Sequence, residues 1–423
     1  MQQDEVSTLV AHLFRLQAGK MIAALVRLFG FEQVHLAEDV VQDTFVTAYQ
    51  QWSYAALPEN PEAWLMTVAR NKAINAVKRG ARIRHSGISA FADQERDATG
   101  DYIDQVFSEK EITDSQLQLL FLCCHPQLPE KSQLLLTLQV LCGFSLEEIA
   151  NALFMQKEAV KKALYRAKEA IRKQGLHIHT NYILFSEQRT ALVLQVLYLM
   201  FNEGYKTTSD RQLLNTDLCY EAIRLCRLLH KLKSHKEAEA LLALMFFGIA
   251  RFPSRQDEQG EIVLLEDQDR SLWRQELIRE GFYYLEQSRG GNTLSRYHLE
   301  AGIAAAHCTA ASYAQTDWQK IIFYYDQLLR LHDSPVVRIH RAIAIGQLEG
   351  PQAGLQLLDR LRDAGLEHYY LYYAAKANLL YKSGDYQGAR AHFETALAYT
   401  PSAVNRAFLS KQIGNCNKHS GIG

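Results

Sequence analysis

The chain has 423 residues, with 46 Lys+Arg against 47 Asp+Glu and a formal net charge of −1. That length leaves room for about two to three domains with sizeable cores. The charge balance excludes a uniformly basic nucleic-acid binder, so any such activity has to reside in patches. The seven cysteines are scattered, odd in number and never spaced as CxxC, which argues for buried, reduced thiols in a cytoplasmic protein. Only eight prolines interrupt a chain rich in good helix formers, so the expected fold class is all-α. Residues 1–8 are polar and acidic, unlike a secretory signal, and no apolar run approaches the roughly 20 residues of a membrane helix, so no membrane association is expected.

The first predicted helix covers 6–29, with Leu9, Leu13, Leu16, Ile22, Leu25, Val26 and Phe29 on its apolar side and Gly30 as its breaker. A second helix covers 36–52. At 3.6 residues per turn, Ala37, Val41, Phe45, Ala48 and Trp52 share one stripe. Asp39, Gln42, Asp43, Val46 and Gln50 share the other, which leaves an acidic, amide-bearing face for solvent. Pro58 and Pro61 mark a loop, and a third helix follows over 61–84. Its inner stripe is Leu65, Ala69, Ala73, Ala76 and Val77, and its outer one Thr67, Asn71, Asn75 and Lys78, with Trp64 and Val68 interleaved. From Trp64 to His85 it carries Arg70, Lys72, Lys78, Arg79, Arg82 and Arg84 and no acid. Cations neutralise phosphates, and amides with an aromatic contact bases. By itself this helix reads equally well as an ordinary surface helix with solvated charges.

AEDVVQDTF…W followed by PEAWLMTVARNKAINAVKR resembles region 2 of bacterial sigma factors of the extracytoplasmic-function (ECF) type. The resemblance implies that Asp39, Gln42, Asp43 and Val46 bind the clamp coiled coil of core RNA polymerase. It also implies that the 53–61 loop, with Trp64, Arg70, Asn71, Asn75, Lys78 and Arg79, melts and reads the minus-ten promoter element. The region-2-like domain is set at 1–88.

An acidic linker is expected at 89–113, partly helical near 103–107: it is either a plain tether or a stretch that mimics nucleic acid. The next domain, 114–178, begins with apolar helices interrupted by Pro126, Pro129 and Gly143. Ser145 and Glu148 have the spacing of a capping box. A turn at Phe154, Met155 and Gln156 then leads to a basic amphipathic helix. Val160, Ala163, Leu164, Ala167 and Ile171 form its inner stripe. Lys157, Glu158, Lys161, Lys162, Tyr165 and Arg166 are placed outward as candidate contacts to DNA, the cations to phosphate or guanine and Glu158 to cytosine. A bare helical hairpin would look similar. Its position after the first domain and a linker resembles sigma region 4, which reads the minus-thirty-five element.

The remainder, 182–423, is expected to be a helical extension. Glu266, Asp267 and Asp269 read as a solvated acidic turn rather than a cation site. Ala377, Leu380, Gly384, Tyr386, Ala389, Phe393, Ala396 and Pro401 match tetratricopeptide (TPR) spacing. Weaker copies include Trp318, Ile321, Tyr325 and Leu328, and then Ala342, Gly350 and Ala353. Stacked helix pairs of this kind present a concave surface to a protein or peptide partner. The whole chain resembles the ECF subgroup with a long TPR-like extension. No GxxxxGK, GxGxxG, HExxH or GxSxG occurs, so no enzyme is expected. No metal or cofactor is expected either. The expected partners are core RNA polymerase and promoter DNA. The rival reading is a stand-alone helix-turn-helix activator with a TPR sensory domain.

Overall fold

Gln3–Phe29 forms α1, Val34–Trp52 α2 and Pro61–Arg84 α3. In the computed structural model, residues 3–84, 103, 105–125, 127–152, 155–174, 187–206, 214–232, 234–290, 294–361, 365–400 and 402–419 are described. These residues are helical throughout, apart from turns and one isolated antiparallel bridge between Gln256 and Ile262. The chain divides into two units, Met1–Met200 and Phe201–Gly423.

In the first unit most of the predicted stripe residues are core, while Leu9, Leu16 and Phe29 of α1 and Ala76 and Val77 of α3 are only half-buried. Ala37, Val41, Phe45, Ala48 and Trp52 of α2 are all buried, as are Leu65, Ala69 and Ala73 of α3. Phe14 of α1 meets Phe45 edge-on, with ring centroids 5.0 Å apart. Over Glu5–Phe29, α1 is long and apolar enough to cross a membrane, which corrects the expectation that no run approaches that length. It is instead a core helix: Met21, Ala23, Ala24, Leu25 and Val26 are sealed against its neighbours, and buried Gln17 lies among them. A helix apolar nearly all round suits a protein interior as well as a bilayer.

Helix α4 spans Glu109–Cys123 and so begins inside the stretch expected to be linker. Ile103, Val106 and Ile112 are buried, and Val106 and Ile112 cluster with Ala24 of α1 beside Met66 of α3. The end of that stretch is therefore pinned to the first three helices. Helix α5 (Glu130–Leu136) runs into a π-helical turn, Thr137–Leu141, and the chain reverses at Gly143 with φ +65°. Helices α6 (Leu146–Ala152) and α7 (Lys157–Gln174) complete this part. The π turn packs closely on α1, since a Cβ on Gly19 would stand 1.9 Å from the Leu141 carbonyl oxygen.

Helix α8 (Glu187–Tyr205) carries the chain into the second unit. That unit is built of neighbouring helices: α9 (Thr216–Leu232), α10 (Lys236–Ala250), α11 (Gln275–Gln287), α12 (Arg296–Thr309), α13 (Trp318–Leu331), α14 (Pro335–Glu349), α15 (Pro351–Asp359), α16 (Tyr370–Lys382), α17 (Tyr386–Tyr399) and α18 (Ala403–His419). Small residues set the crossings: a Cβ on Gly281 of α11 would lie 2.6 Å from the Phe247 ring of α10. Ala377, Ala389, Phe393 and Ala396 from the repeat pattern form one sealed cluster between α16 and α17. Gly384, at φ +86°, turns the chain between them, and the Asp385 carboxylate caps α17 by accepting from Gly388 N at 2.8 Å. Pro401 lies outside the described residues.

Candidate nucleic-acid interface

The two helices singled out by their charges are held together by an aromatic pair. Trp52 closes α2 and Trp64 lies in the first turns of α3, with ring centroids 5.2 Å apart and planes tilted by 56°. Trp52 is buried and Trp64 half-buried, so the pair fixes the 53–60 loop between them. Asn60 caps α3, its side-chain oxygen accepting from Ala63 N at 3.0 Å, and Pro61 takes the first helical position.

On α2, Asp39, Gln42, Asp43 and Val46 are all exposed, Val46 at 53%. An apolar side chain left bare one turn from a carboxylate is suited to a protein contact. On α3, Asn71, Asn75 and Lys78 are exposed, while Arg70 and Trp64 are half-buried. The Arg79 side chain lies outside the described residues. The sequence reading passed over Tyr54. It is 92% exposed in the loop between the two tryptophans, and the signal for it was an aromatic in a turn with no apolar partner in register.

The helix-turn-helix is built as its spacing foretold. Ser145 Oγ accepts from Glu148 N at 3.2 Å, and Glu148 Oε2 accepts from Ser145 N at 2.8 Å. Of the turn, Phe154 lies outside the described residues. Val160, Leu164, Ala167 and Ile171 of α7 are sealed inside, with Ala163 half-buried. Lys157, Glu158, Lys161, Lys162, Tyr165 and Arg166 are all exposed, Tyr165 at 67%. An amphipathic helix with a sealed back and a bare cationic front can enter a DNA groove. Lys157 reaches back to Glu147 at 3.5 Å, a solvent-exposed pair worth little.

The helix-turn-helix does not stand apart from the first three helices. Lys168 on the flank of α7 donates to both carboxylate oxygens of Glu38 on α2, at 2.6 and 2.8 Å. Their side chains are only 11% and 15% exposed, so this pair is largely desolvated. Arg15 of α1 pairs with Glu148, the same carboxylate that caps α6, and Arg27 pairs with Glu111 of α4 at 2.5 Å. Glu38 immediately precedes Asp39, so the docked helix lies beside one end of the exposed acidic face.

Elsewhere, Glu266 pairs with Lys382, and Asp269 accepts from Ser271 N at 2.8 Å. Burial and the neighbouring Glu266 push the Asp267 carboxyl up. These acids are engaged with the protein itself, and no cluster suited to a metal occurs among the described residues. All seven cysteines are free, six of them buried. Burial pushes the Cys124 and Cys219 thiols up to about 12, which holds them protonated.

Residues 16–83 match Sigma-70 region 2, residues 118–171 match Sigma-70, region 4, and residues 189–289 match a family of unknown function (DUF6596). An uncharacterized protein of Rhizobium meliloti (strain 1021) is 34% identical over 396 residues, covering 93% of this chain and 92% of the relative. No solved structure matches the chain. With region 2 and region 4 in the ECF-type order and a DUF6596 domain behind them, the chain belongs to the sigma-70 family.

Proposed function

We infer that the protein is an ECF-type promoter-specificity subunit acting in the cytoplasm. It binds core RNA polymerase through Asp39, Gln42, Asp43 and Val46 on the bare face of α2. The loop after α2 opens the minus-ten element together with Trp64, Arg70, Asn71, Asn75, Lys78 and Arg79. Tyr54 offers a free aromatic face on which a separated base stacks. The front of α7, with Lys157, Glu158, Lys161, Lys162, Tyr165 and Arg166, reads the minus-thirty-five element. The C-terminal helices, TPR-like in spacing, regulate or support this activity and take a protein or peptide partner. Nothing in this reading calls for catalysis or a bound cofactor.

One observation carries the reading: adjacent helices clamped by Trp52 and Trp64 expose an acidic face and an amide-and-cation face side by side. A protein partner and a nucleic acid can therefore be held at once. The test is assembly with purified core polymerase, followed by transcription from a promoter selected by the complex. Core binding with a defined start site is expected. Asp43→Arg should abolish binding with helix content intact, because that side chain is solvated. Operator binding without core would instead establish the stand-alone activator.

A further inference from the structure

The second unit carries a half-open cavity of about 450 Å³, within the roughly 300–1,000 Å³ range of small-molecule sites. Its wall is assembled from distant stretches: Lys206 after α8, Arg255, the 262–266 loop, and α12, α13, α14, α16 and α18. Two polar contacts tie wall residues to one another: Lys206 Nζ donates to the Tyr370 hydroxyl, and Lys382 pairs with Glu266. Most of the lining is apolar or aromatic, including Trp318, Tyr325 and Phe408.

The charges on this wall do not balance. Lys206, Arg255 and Lys382 face a single carboxylate, Glu266, and Lys382 already holds it. Among the described residues, the Lys206 ammonium meets the Tyr370 hydroxyl and, 5.1 Å from its centroid, the Tyr370 ring. Arg255 donates to the Tyr205 carbonyl at 2.5 Å and lies 3.7 Å from the centroid of the Tyr205 ring. No carboxylate pairs with either cation among the described residues. Lys206 is exposed as a residue and contributes to the cavity lining. Even so, protein surrounds its ammonium, and burial with the neighbouring Arg255 charge pushes it down to about 8. Arg255 and His340 are lowered too, by burial first, and then His340 by Lys206. Neighbouring cations that repel one another are stabilised by an anion that joins them.

We propose that this cavity binds a small organic anion, with its acidic head at Lys206 and Arg255 and its apolar body against the aromatic wall. The Asn405 amide, which donates to the Tyr370 hydroxyl at 3.1 Å, and His340 stand on the same wall as polar neighbours of the head. Carboxylate and phosphate heads share this chemistry. The site stands independently of the promoter reading.

The test uses the full chain and the amphipathic anion anilinonaphthalene sulfonate, followed by fluorescence and calorimetry. One saturable site per chain is expected on protein of native circular dichroism. Lys206→Met and Arg255→Gln should each weaken binding by about tenfold or more, the effect of deleting a charged hydrogen-bond partner. Arg289→Ala, a 75% exposed side chain away from the cavity, should leave it unchanged. Octanoate displacing the probe assigns a carboxylate head, and phenyl phosphate displacing it assigns a phosphate. Octanol should displace poorly, and this comparison needs no variant, so it survives a substitution that prevents folding. Absence of a saturable site, binding that survives both substitutions, or displacement by octanol equal to that by octanoate would each overturn the proposal.

Discussion

The two units place their cations oppositely. In the first, Lys157, Lys161, Lys162 and Arg166 stand on the outside of α7, over a sealed apolar back. In the second, Lys206 and Arg255 face inward onto a cavity wall. The outward arrangement suits a long polyanion, because a groove of DNA must approach a convex rod, and water stays at hand to solvate the charges until it arrives. The inward arrangement suits a ligand small enough for two cations to reach its head together. The difference teaches that the same residue types carry different information depending on which side of the packing surface they occupy.

Four variants sharpen or break this contrast. The largest effect is expected at Gly19, where a side chain would collide with the Leu141 backbone and part α1 from the π turn. Gly19→Val should cost about 3 kcal/mol, an overpacking penalty seen as a lowered melting temperature. If the units are independent, sulfonate binding in the cavity persists in that variant at temperatures where the protein remains folded. Next comes Lys168→Met. It strands Glu38, 15% exposed, without its partner and should destabilise the protein by about 1–3 kcal/mol in urea titrations. An unchanged midpoint would mean that the helix-turn-helix is not held by this pair. Smaller still is Lys161→Ala with Lys162→Ala. Both side chains are exposed, so folding should be untouched, while the slope of log affinity for promoter DNA against log salt falls by about 2. The smallest effect belongs to Lys206→Met. Removing a cation that pairs with no acid among the described residues should hold or slightly raise the melting temperature, whereas a structural lysine would lower it on removal.

What could be read from the sequence was whatever is local. The stripe from Ala37 to Trp52 repeats at the helical period, and all five of its members are buried. The Ser145–Glu148 box is a three-residue signal, and both of its hydrogen bonds form. The burial of Ile103 and Val106, within a stretch read as an acidic linker, was foreshadowed by two apolar residues three apart. The docking of the helix-turn-helix was not legible. Lys168 and Glu38 are 130 positions apart, and Arg15 and Glu148 are 133, so no periodicity connects them. The cavity was hidden for the same reason, since Lys206 and Tyr370 are 164 positions apart. A lysine after an apolar helix looks like any other terminal lysine until the chain brings Tyr370 and Asn405 beside it. Tyr54 fell between these cases, because its residue type was visible but its 92% exposure depended on how the loop is pinned at both ends.

Asn405 and Phe408 place α18 in the cavity wall, which bears on when that wall is finished. During synthesis, residues 3–200 emerge long before residues 403–419. The first unit therefore leaves the ribosome while the pocket of the second still lacks part of its lining. A nonsense mutation ahead of α18 would leave the pocket permanently without those two side chains.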